Sequence, residues 1–361
     1  MTQTEPTKEV VARPVERGSS PRRATIRDVA ERAGVSTAAA SKVLRGAYGV
    51  SDNMKSRVQM AMHELGYRPN AAARGLRGKT FTIGVMLSDI HNPFFGLLTD
   101  GIRSSLSAAG YEMLLGPGGG SPRSQQGMIN ALTDRGMDGL VLIAPVVGGN
   151  LLEQLGSQLP MVVVGRHGLG HTYDTVAGDD RRGSSLIVDH LVSLGHQRIL
   201  HLTNRHESFD EPETPERERA AGYVEAMERH GLGEFVDVRP STWSDVGGRE
   251  VAQQVLAMRQ RPTAVHAGAD VAAFGLLAEL WGAGVGVPSD LSVVGYDDSA
   301  MASMPPINLT TVNQSGVRMG ELAAQTLLER LDGRTDPRAE LIEPTMVVRG
   351  TTAAPSSRHA S

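Results

Sequence analysis

The chain has 361 residues, 40% hydrophobic and 21% charged, with a formal net charge of −4 and no cysteine. This length holds two or three domains and the balance is that of a globular protein; the absent thiols exclude disulfides, thiolate zinc sites and cysteine nucleophiles. No apolar run approaches the ~20 residues that span a bilayer, and the polar start MTQTEPTKEVVARPVERGSSPRR lacks an apolar signal core, so a cytoplasmic protein is expected. Charge is unevenly spread. Residues 1–79 hold 15 Lys and Arg against 7 Asp and Glu, the remainder 21 against 33. A basic module on an acidic body is the footprint of a chain that grips phosphates with one end.

Residues 1–23 are rich in Pro, Arg, Glu, Ser and Gly without periodicity and are expected to be disordered. Arg22 and Arg23 can add only a weak, sequence-independent phosphate contact. Helical patterning begins at Ala24. Thr25 is placed to N-cap a helix with Asp28 completing a capping-box-like pair. Ile26, Val29 and Ala30 share one face, and Gly34 tolerates the left-handed backbone that ends a helix. Ser36 restarts a helix whose buried side is Ala40, Val43 and Leu44. Two short helices joined by a Gly-containing turn predict a helix-turn-helix, the alternative on spacing alone being an ordinary helical hairpin. A third amphipathic helix runs from Ser51 through Val58, Met62 and Leu65 to Gly66. Tyr67-Arg68-Pro69-Asn70 follows, and Asn70 can cap a helix over only Ala71–Leu76, too short to be stable alone.

In TIRDVAERAGVS, VSDNMKSRV and YRPNAAARGL, in this order and spacing, the chain resembles the lactose-repressor/galactose-repressor (LacI/GalR) family of bacterial transcription regulators. Further motifs extend the resemblance over about residues 24 to 350. It implies a second helix in the major groove with Thr37, Ala38 and Lys42 reaching base edges. Thr25, Ser36 and Ser41 would bond phosphates, and Ile26, Asn70 and Ala73 fall at family DNA-contact positions. Where the family has Thr-Val-Ser-Arg after the turn, this chain has Ala39-Ala40-Ser41-Lys42. Lys42 lacks the planar fork of Arg and is placed either for guanine O6 and N7 or for a phosphate. Leu76 resembles the family's wedge leucine, which inserts between base steps from the minor groove and kinks the duplex, its hinge helix forming when two copies meet on DNA.

From Thr80, strand patterns at Thr82–Leu87, Glu112–Leu115, Gly139–Ala144, Met161–Val164, Arg198–Leu202, Thr263–Ala267 and Leu291–Gly295 alternate with helical ones. The helices are expected at Phe95–Ala109, Gln125–Arg135, Gly183–Leu194, Arg219–Glu228, Gly247–Met258 and Ala272–Trp281. This alternation predicts parallel sheets covered on both faces, and the resemblance implies two such halves in a clamshell like the periplasmic sugar-binding proteins. Ligands then bind off the carboxyl ends of strands, which points to Asp89, Arg166, Asp179, Asp180, Asp270 and Asp297. In family terms, Asn92, Phe94 and Phe95 belong to an Asn-Pro-aromatic-Phe motif at the cleft, though Phe95 could equally be core. Arg219 in Arg219-Ala220-Ala221-Gly222-Tyr223 matches the ligand-binding arginine, Trp243 a ring that packs on ligand, and Asp297 a carboxylate that bonds hydroxyls or amines. The family's Asn-Asp pair is here Ala269-Asp270, one polar group short. The last segment passes from Leu309–Gln314 through a helix at Gly320–Leu331 to a strand at Thr345–Arg349, and no leucine heptad follows Thr351.

Other chemistry is absent from the sequence. Arg77-Gly78-Lys79-Thr80 has Ala73 where a phosphate-binding loop needs Gly, Gly118-Gly119-Gly120 lacks the dinucleotide fingerprint, and neither HExxH nor G-x-S-x-G occurs. The expected fold is an N-terminal all-α helix-turn-helix domain with a hinge helix, followed by an α/β periplasmic-binding-protein-like core of two parallel-sheet subdomains. The expected boundaries are a tail at 1–23, a DNA-binding domain at 24–69, a hinge and linker at 70–79, a core at 80–352 and a flexible tail at 353–361. Within the core, 80–177 plus 309–337 would form the first subdomain and 178–308 plus 338–352 the second. The expected function is a non-enzymatic, cofactor-free, homodimeric repressor that binds palindromic double-stranded operator DNA under control of a small molecule, a carbohydrate by its cleft chemistry. A periplasmic binding protein would not explain the DNA module, and an enzyme would need a nucleophile or phosphate loop. A repressor without a small-molecule effector remains an alternative.

Overall fold

In the computed structural model, which describes residues 24–44, 49–67, 79–205 and 213–356, the chain divides after Gly78 into two units. The expectations for residues 1–23, for the hinge residues Asn70, Ala73 and Leu76, and for the tail beyond 356 lie outside the described residues.

In the first unit, α1 (Ile26–Ala33), α2 (Thr37–Leu44) and α3 (Asp52–Glu64) close around Val29, Ala30, Ala33, Ala40, Val58 and Ala61. The capping box at Thr25 is complete, with the Thr25 N–H donating to Asp28 Oδ2 at 2.7 Å and the Asp28 N–H to Thr25 Oγ1 at 3.4 Å. Gly34 ends α1 at φ 62°, the left-handed backbone the tight turn requires. Ser36 Oγ accepts from the Ala39 N–H at 3.1 Å and caps α2. The turn is pinned from α3, where Arg57 Nη2 donates to the carbonyls of Ala33 (2.5 Å) and Gly34 (3.2 Å).

The second unit alternates strands and helices. In order come β1 (Thr82–Leu87), α4 (Pro93–Ala108), β2 (Glu112–Pro117), α5 (Pro122–Thr133), β3 (Gly139–Ile143), α6 (Gly149–Gly156), β4 (Met161–Val164) and β5 (Asp174–Gly178). Then follow α7 (Asp180–Ser193), β6 (Ile199–Asn204), α8 (Pro215–Arg229), β7 (Asp237–Ser241), α9 (Asp245–Ala257), β8 (Ala264–His266), α10 (Asp270–Gly282) and β9 (Ser292–Val294). The chain ends through β10 (Thr311–Asn313), α11 (Gly316–Leu331), β11 (Ala339–Ile342) and β12 (Thr345–Val347).

These strands make two parallel sheets, β2-β1-β3-β4-β5-β11 in a first lobe and β7-β6-β8-β9 in a second, with β10 and β12 paired antiparallel. Runs such as Leu140–Ile143 and Met161–Val164 are buried along their whole length because helices cover both faces. In the first lobe α4 and α11 pack Leu98, Ile102, Leu106, Ala323 and Leu327 on one face, and α5 and α6 pack Ile129, Leu132 and Leu152 on the other. In the second lobe α7 and α8 take one face, α9 and α10 the other.

The elements expected in the core are present within a few residues of their predicted ends, but β5, β7, α6 and β11 carry no pattern that announces them. The subdomain boundaries differ accordingly. Residues 339–342, expected in the second subdomain, form the edge strand of the first sheet beside β5, in register from Ala339–Thr175 to Ile342–Gly178. Residues 310–313, expected in the first, bridge to the second lobe at Val294–Thr310 and Asp297–Asn313. The buried Asp174 explains the capture of β11: its carboxylate accepts from Arg330 Nε (2.7 Å), Arg334 Nη2 (2.6 Å) and the Arg338 N–H (2.7 Å). Burial pushes the Asp174 carboxyl up, but the Arg334 and Arg330 hydrogen bonds outweigh it and hold it below the usual range. Nor does a flexible tail begin at 353, because the Ala353 N–H donates to Ser292 Oγ (3.1 Å) and its carbonyl accepts from His196 Nε2 (2.8 Å).

Helices α4 and α11 meet backbone to backbone. A Cβ on Gly101 would lie 2.0 Å from the Val317 carbonyl oxygen, and one on Gly320 would lie 2.1 Å from that of Leu98. Gly101→Ala should therefore cost about 1–3 kcal/mol of stability through overpacking, read as an earlier urea midpoint; an unshifted midpoint would show that the helices can separate freely.

Candidate functional site

The carboxyl ends of the strands of both lobes face a cavity of about 720 Å³, a volume suited to a small ligand. The first lobe contributes the segment after β1 (Ser88 to Phe95), Pro117 to Gly120 after β2 and Ala144 to Val146 after β3. The second contributes Asp180, Asn204, Thr214, Glu216, Arg219, Thr242, Trp243, Ser244 and Asp297, with Gln314 from the crossing segment.

Arg219 forms the centre of the polar wall. Its side chain is 5% exposed, with Nε donating to Asp180 Oδ1 at 2.7 Å and Nη1 to the Gly268 carbonyl at 2.6 Å. Its guanidinium lies over two rings, 3.7 Å from the Tyr296 centroid and 4.5 Å from that of Trp243. Asp180 Oδ2 bonds His167 Nε2 at 2.8 Å. Burial alone would neutralise Asp180, but the charge of Arg219 and the His167 bond overcome it and keep the carboxyl below the usual range. Burial likewise works against a charged His167, and the Asp180 hydrogen bond and charge raise it above 6.5.

Asp297 behaves oppositely. Burial pushes its carboxyl well above the usual range, against the pull of Arg219 and with added repulsion from Asp270. Its Oδ1 accepts from Gln314 Nε2 at 2.6 Å. Asp270 lies behind the wall, accepting from the Ser299 N–H (2.7 Å), Ser299 Oγ (2.8 Å) and Thr311 Oγ1 (2.6 Å); burial brings it up to about 6 despite those bonds.

Of the residues expected at the ligand, the cleft brings together Asn92, Phe94, Phe95, Arg219, Trp243 and Asp297. Their parts differ. Asn92 N-caps α4, its Oδ1 accepting from the Phe94 N–H at 3.0 Å. Phe94 is mostly buried in the first lobe's core, whereas Phe95 is half-buried and tilted 52° to it. Three other expected residues, Arg166, Asp179 and Asp270, are not among those that line the cavity. Arg166 is buried and donates to the Pro145 and Val147 carbonyls. Asp179 caps α7 through the Arg182 N–H at 2.9 Å, which leaves Asp180 as the lining acid, and Asp270 ties the loops behind the wall. Sequence reasoning assigned no role to Thr214 and Gln314. Thr214 precedes a proline and reads as a plain helix cap, and Gln314 carries no pattern of its own.

In the helix-turn-helix unit, Thr37, Ala38 and Lys42 are exposed at the start and middle of α2, and Ser36 is exposed beside them. Ser41 is half-buried on the same helix. Thr25 Oγ1 donates to Asp28 Oδ2 at 2.8 Å, so its hydroxyl proton is engaged within the cap, and Ile26 packs against the unit's core.

Residues 25–70 match the family described as bacterial regulatory proteins, lacI family, and residues 188–352 a periplasmic binding protein-like domain. The chain is 32% identical over 341 residues to the HTH-type transcriptional repressor PurR of Erwinia tasmaniensis, covering 91% of this chain and 97% of that one. It is 33% identical over 334 residues to the ribose operon repressor of Escherichia coli (strain K12), covering 91% and 99%. The lac repressor dimer bound to operator and the anti-inducer ONPF superposes with a TM-score of 0.77 at 26% identity, over 92% of this chain and 100% of that one.

The raised His167 predicts a pH signature. The stability it adds is fully present below its unfolded value of 6.5 and is lost as pH rises through the higher folded value. His167→Gln should thus lower the thermal midpoint more at pH 6 than at pH 9, and a gap that widens with pH would contradict a charged His167–Asp180 pair.

Proposed function

This chain belongs to the lacI family of bacterial regulatory proteins, and from that premise we propose how its parts act as a ligand-responsive transcriptional repressor. Two copies place α2 of each helix-turn-helix in successive major grooves of a palindromic operator, with Thr37, Ala38 and Lys42 toward the bases. Thr25, Ser36 and Ser41 take phosphates, and Asn70, Ala73 and Leu76 act in the minor groove. A small molecule closes the two lobes on itself, and because it binds one lobe arrangement better than the other it sets the operator affinity. DNA as the partner puts the protein in the cytoplasm. We read the chain as non-catalytic, as befits a family of repressors.

The observation that carries this reading is that Arg219, Asp180 and Asp297 line one cavity together with Phe95. Carboxylates, an arginine and ring faces suit a polyol, whose hydroxyls both donate and accept while its ring lies on aromatic carbon. Anisotropy of a labelled operator, selected from random DNA, tests it when titrated with the protein and then with sugars and nucleobases. A sugar that shifts affinity at fixed salt supports the reading; a response confined to nucleobases would replace the polyol.

In the same assay Lys42→Ala should relax preference at one base pair of each half-site. A uniform loss across sequences, with a salt slope shallower by about 1, would make Lys42 a phosphate contact.

A further inference from the structure

Helix α2 is attached to its neighbours by little apolar surface. Of its eight residues only Ala40 is buried, with Val43 half-buried on the same core. Helix α1, by contrast, buries Val29, Ala30 and Ala33, and α3 buries Val58 and Ala61. Apolar stabilisation scales with the area removed from water, and one methyl group removes little. Yet a helix that reads base edges must be held to within about 0.5 Å and 10–20°.

A polar tether supplies the missing constraint. The turn Ala33-Gly34-Val35-Ser36 runs straight into α2. Its carbonyls at Ala33 and Gly34 both accept from one atom, Arg57 Nη2, at 2.5 and 3.2 Å. A Cβ on Gly34 would lie 2.7 Å from that nitrogen, so the guanidinium rests directly on the turn. The bonds are charge-assisted, and the cation meets the negative end of α1. The root of Arg57 is fixed as well, because Val58 beside it is fully buried in the unit's core. An exposed arginine in a DNA-binding unit ordinarily takes a phosphate. Here a terminal nitrogen of the exposed Arg57 is occupied by backbone just ahead of Thr37.

We propose that Arg57 is a positioning residue for operator reading. It touches no base; by fixing the turn on α3 it sets the angle at which Thr37, Ala38 and Lys42 meet the bases. Sequence preference, rather than general affinity for DNA, then depends on it. This rests on the reading of α2 as the recognition helix.

The test uses the full chain with Arg57→Met, which keeps an unbranched stem but removes the donor. Arg57→Lys keeps the charge on a side chain one atom too short to span both carbonyls. Anisotropy is read on a labelled operator selected from random DNA and on scrambled DNA of equal length, each over a range of salt. Arg57→Met should bind operator about tenfold more weakly and scrambled DNA within about twofold of wild type, with the operator salt slope unchanged. Selection repeated with this variant should relax preference at several base pairs of each half-site. Arg57→Lys should show a smaller loss of the same kind, and it decides the question if the methionine variant does not fold. Equal losses on both DNAs would overturn the proposal, whether from a phosphate contact, seen as a salt slope shallower by about 1, or from a smaller folded fraction. A loss confined to one base pair would make Arg57 a base contact, and unchanged operator affinity would free the turn from it; either result also overturns the proposal. A wild type that selects no operator at all would remove the recognition-helix reading and this role with it.

Discussion

The second lobe is built around a permanent charge taken out of water. Arg219 cannot shed its proton, so its burial on α8 demands an opposite charge, a hydrogen-bond acceptor and ring faces that receive its positive charge. The chain supplies Asp180 from the start of α7, the Gly268 carbonyl after β8, and the rings of Tyr296 after β9 and Trp243 after β7. Four separate strand ends are thereby drawn to one guanidinium. The cation–π contacts contribute only about 0.5–2 kcal/mol each, and with the hydrogen bonds to Asp180 and the Gly268 carbonyl they fix where the guanidinium sits.

The other acid of the wall links the cavity to the places where the chain crosses between lobes. Asp297 and Asp298 have φ of 125° and 52°, conformations that side chains rarely adopt. Surrounding bonds hold them there. Asp297 accepts from Gln314, and Asp298 accepts from Asn313 Nδ2 (2.8 Å) and Arg349 Nη2 (2.6 Å). Asn313 and Gln314 lie where the chain returns to the first lobe, Arg349 just after it has crossed back. Ser315, next in the chain, is also left-handed at φ 54°. The strained Asp297–Asp298 pair is thus tied by side-chain hydrogen bonds to the segments in which the chain passes from one lobe to the other.

Much of this was legible in the residues. The capping box at Thr25, the turn at Gly34 and the buried runs of β1, β3 and β4 are local signals, and each is found in place. The α/β alternation predicted parallel sheets, and the strand-end rule predicted the side on which the cavity opens. What escaped prediction depends on partners distant in sequence. Residues 339–342, Ala-Glu-Leu-Ile, are too short a stretch to announce a strand, and as an edge strand they leave Leu341 exposed; their place beside β5 is set by Asp174. The choice between Asp179 and Asp180 turns on one step of helix phase: the first caps the backbone and the second faces Arg219.

The late capture of β11 also bears on how the protein is made. The second lobe's four-stranded sheet is assembled from residues 199–294 alone, a continuous stretch. The first lobe begins at Thr82, yet its covering helix α11 and its sixth strand come from residues 316–342. On the ribosome, therefore, the lobe that is started first is finished last. Until then the free edge of β5 waits uncovered while about 160 further residues emerge, and the apolar face later covered by α11 waits nearly as long, at roughly 5–20 residues per second. For several seconds the nascent chain carries an open parallel sheet beside a nearly complete neighbour, and it is in this interval that protection by chaperones would matter most.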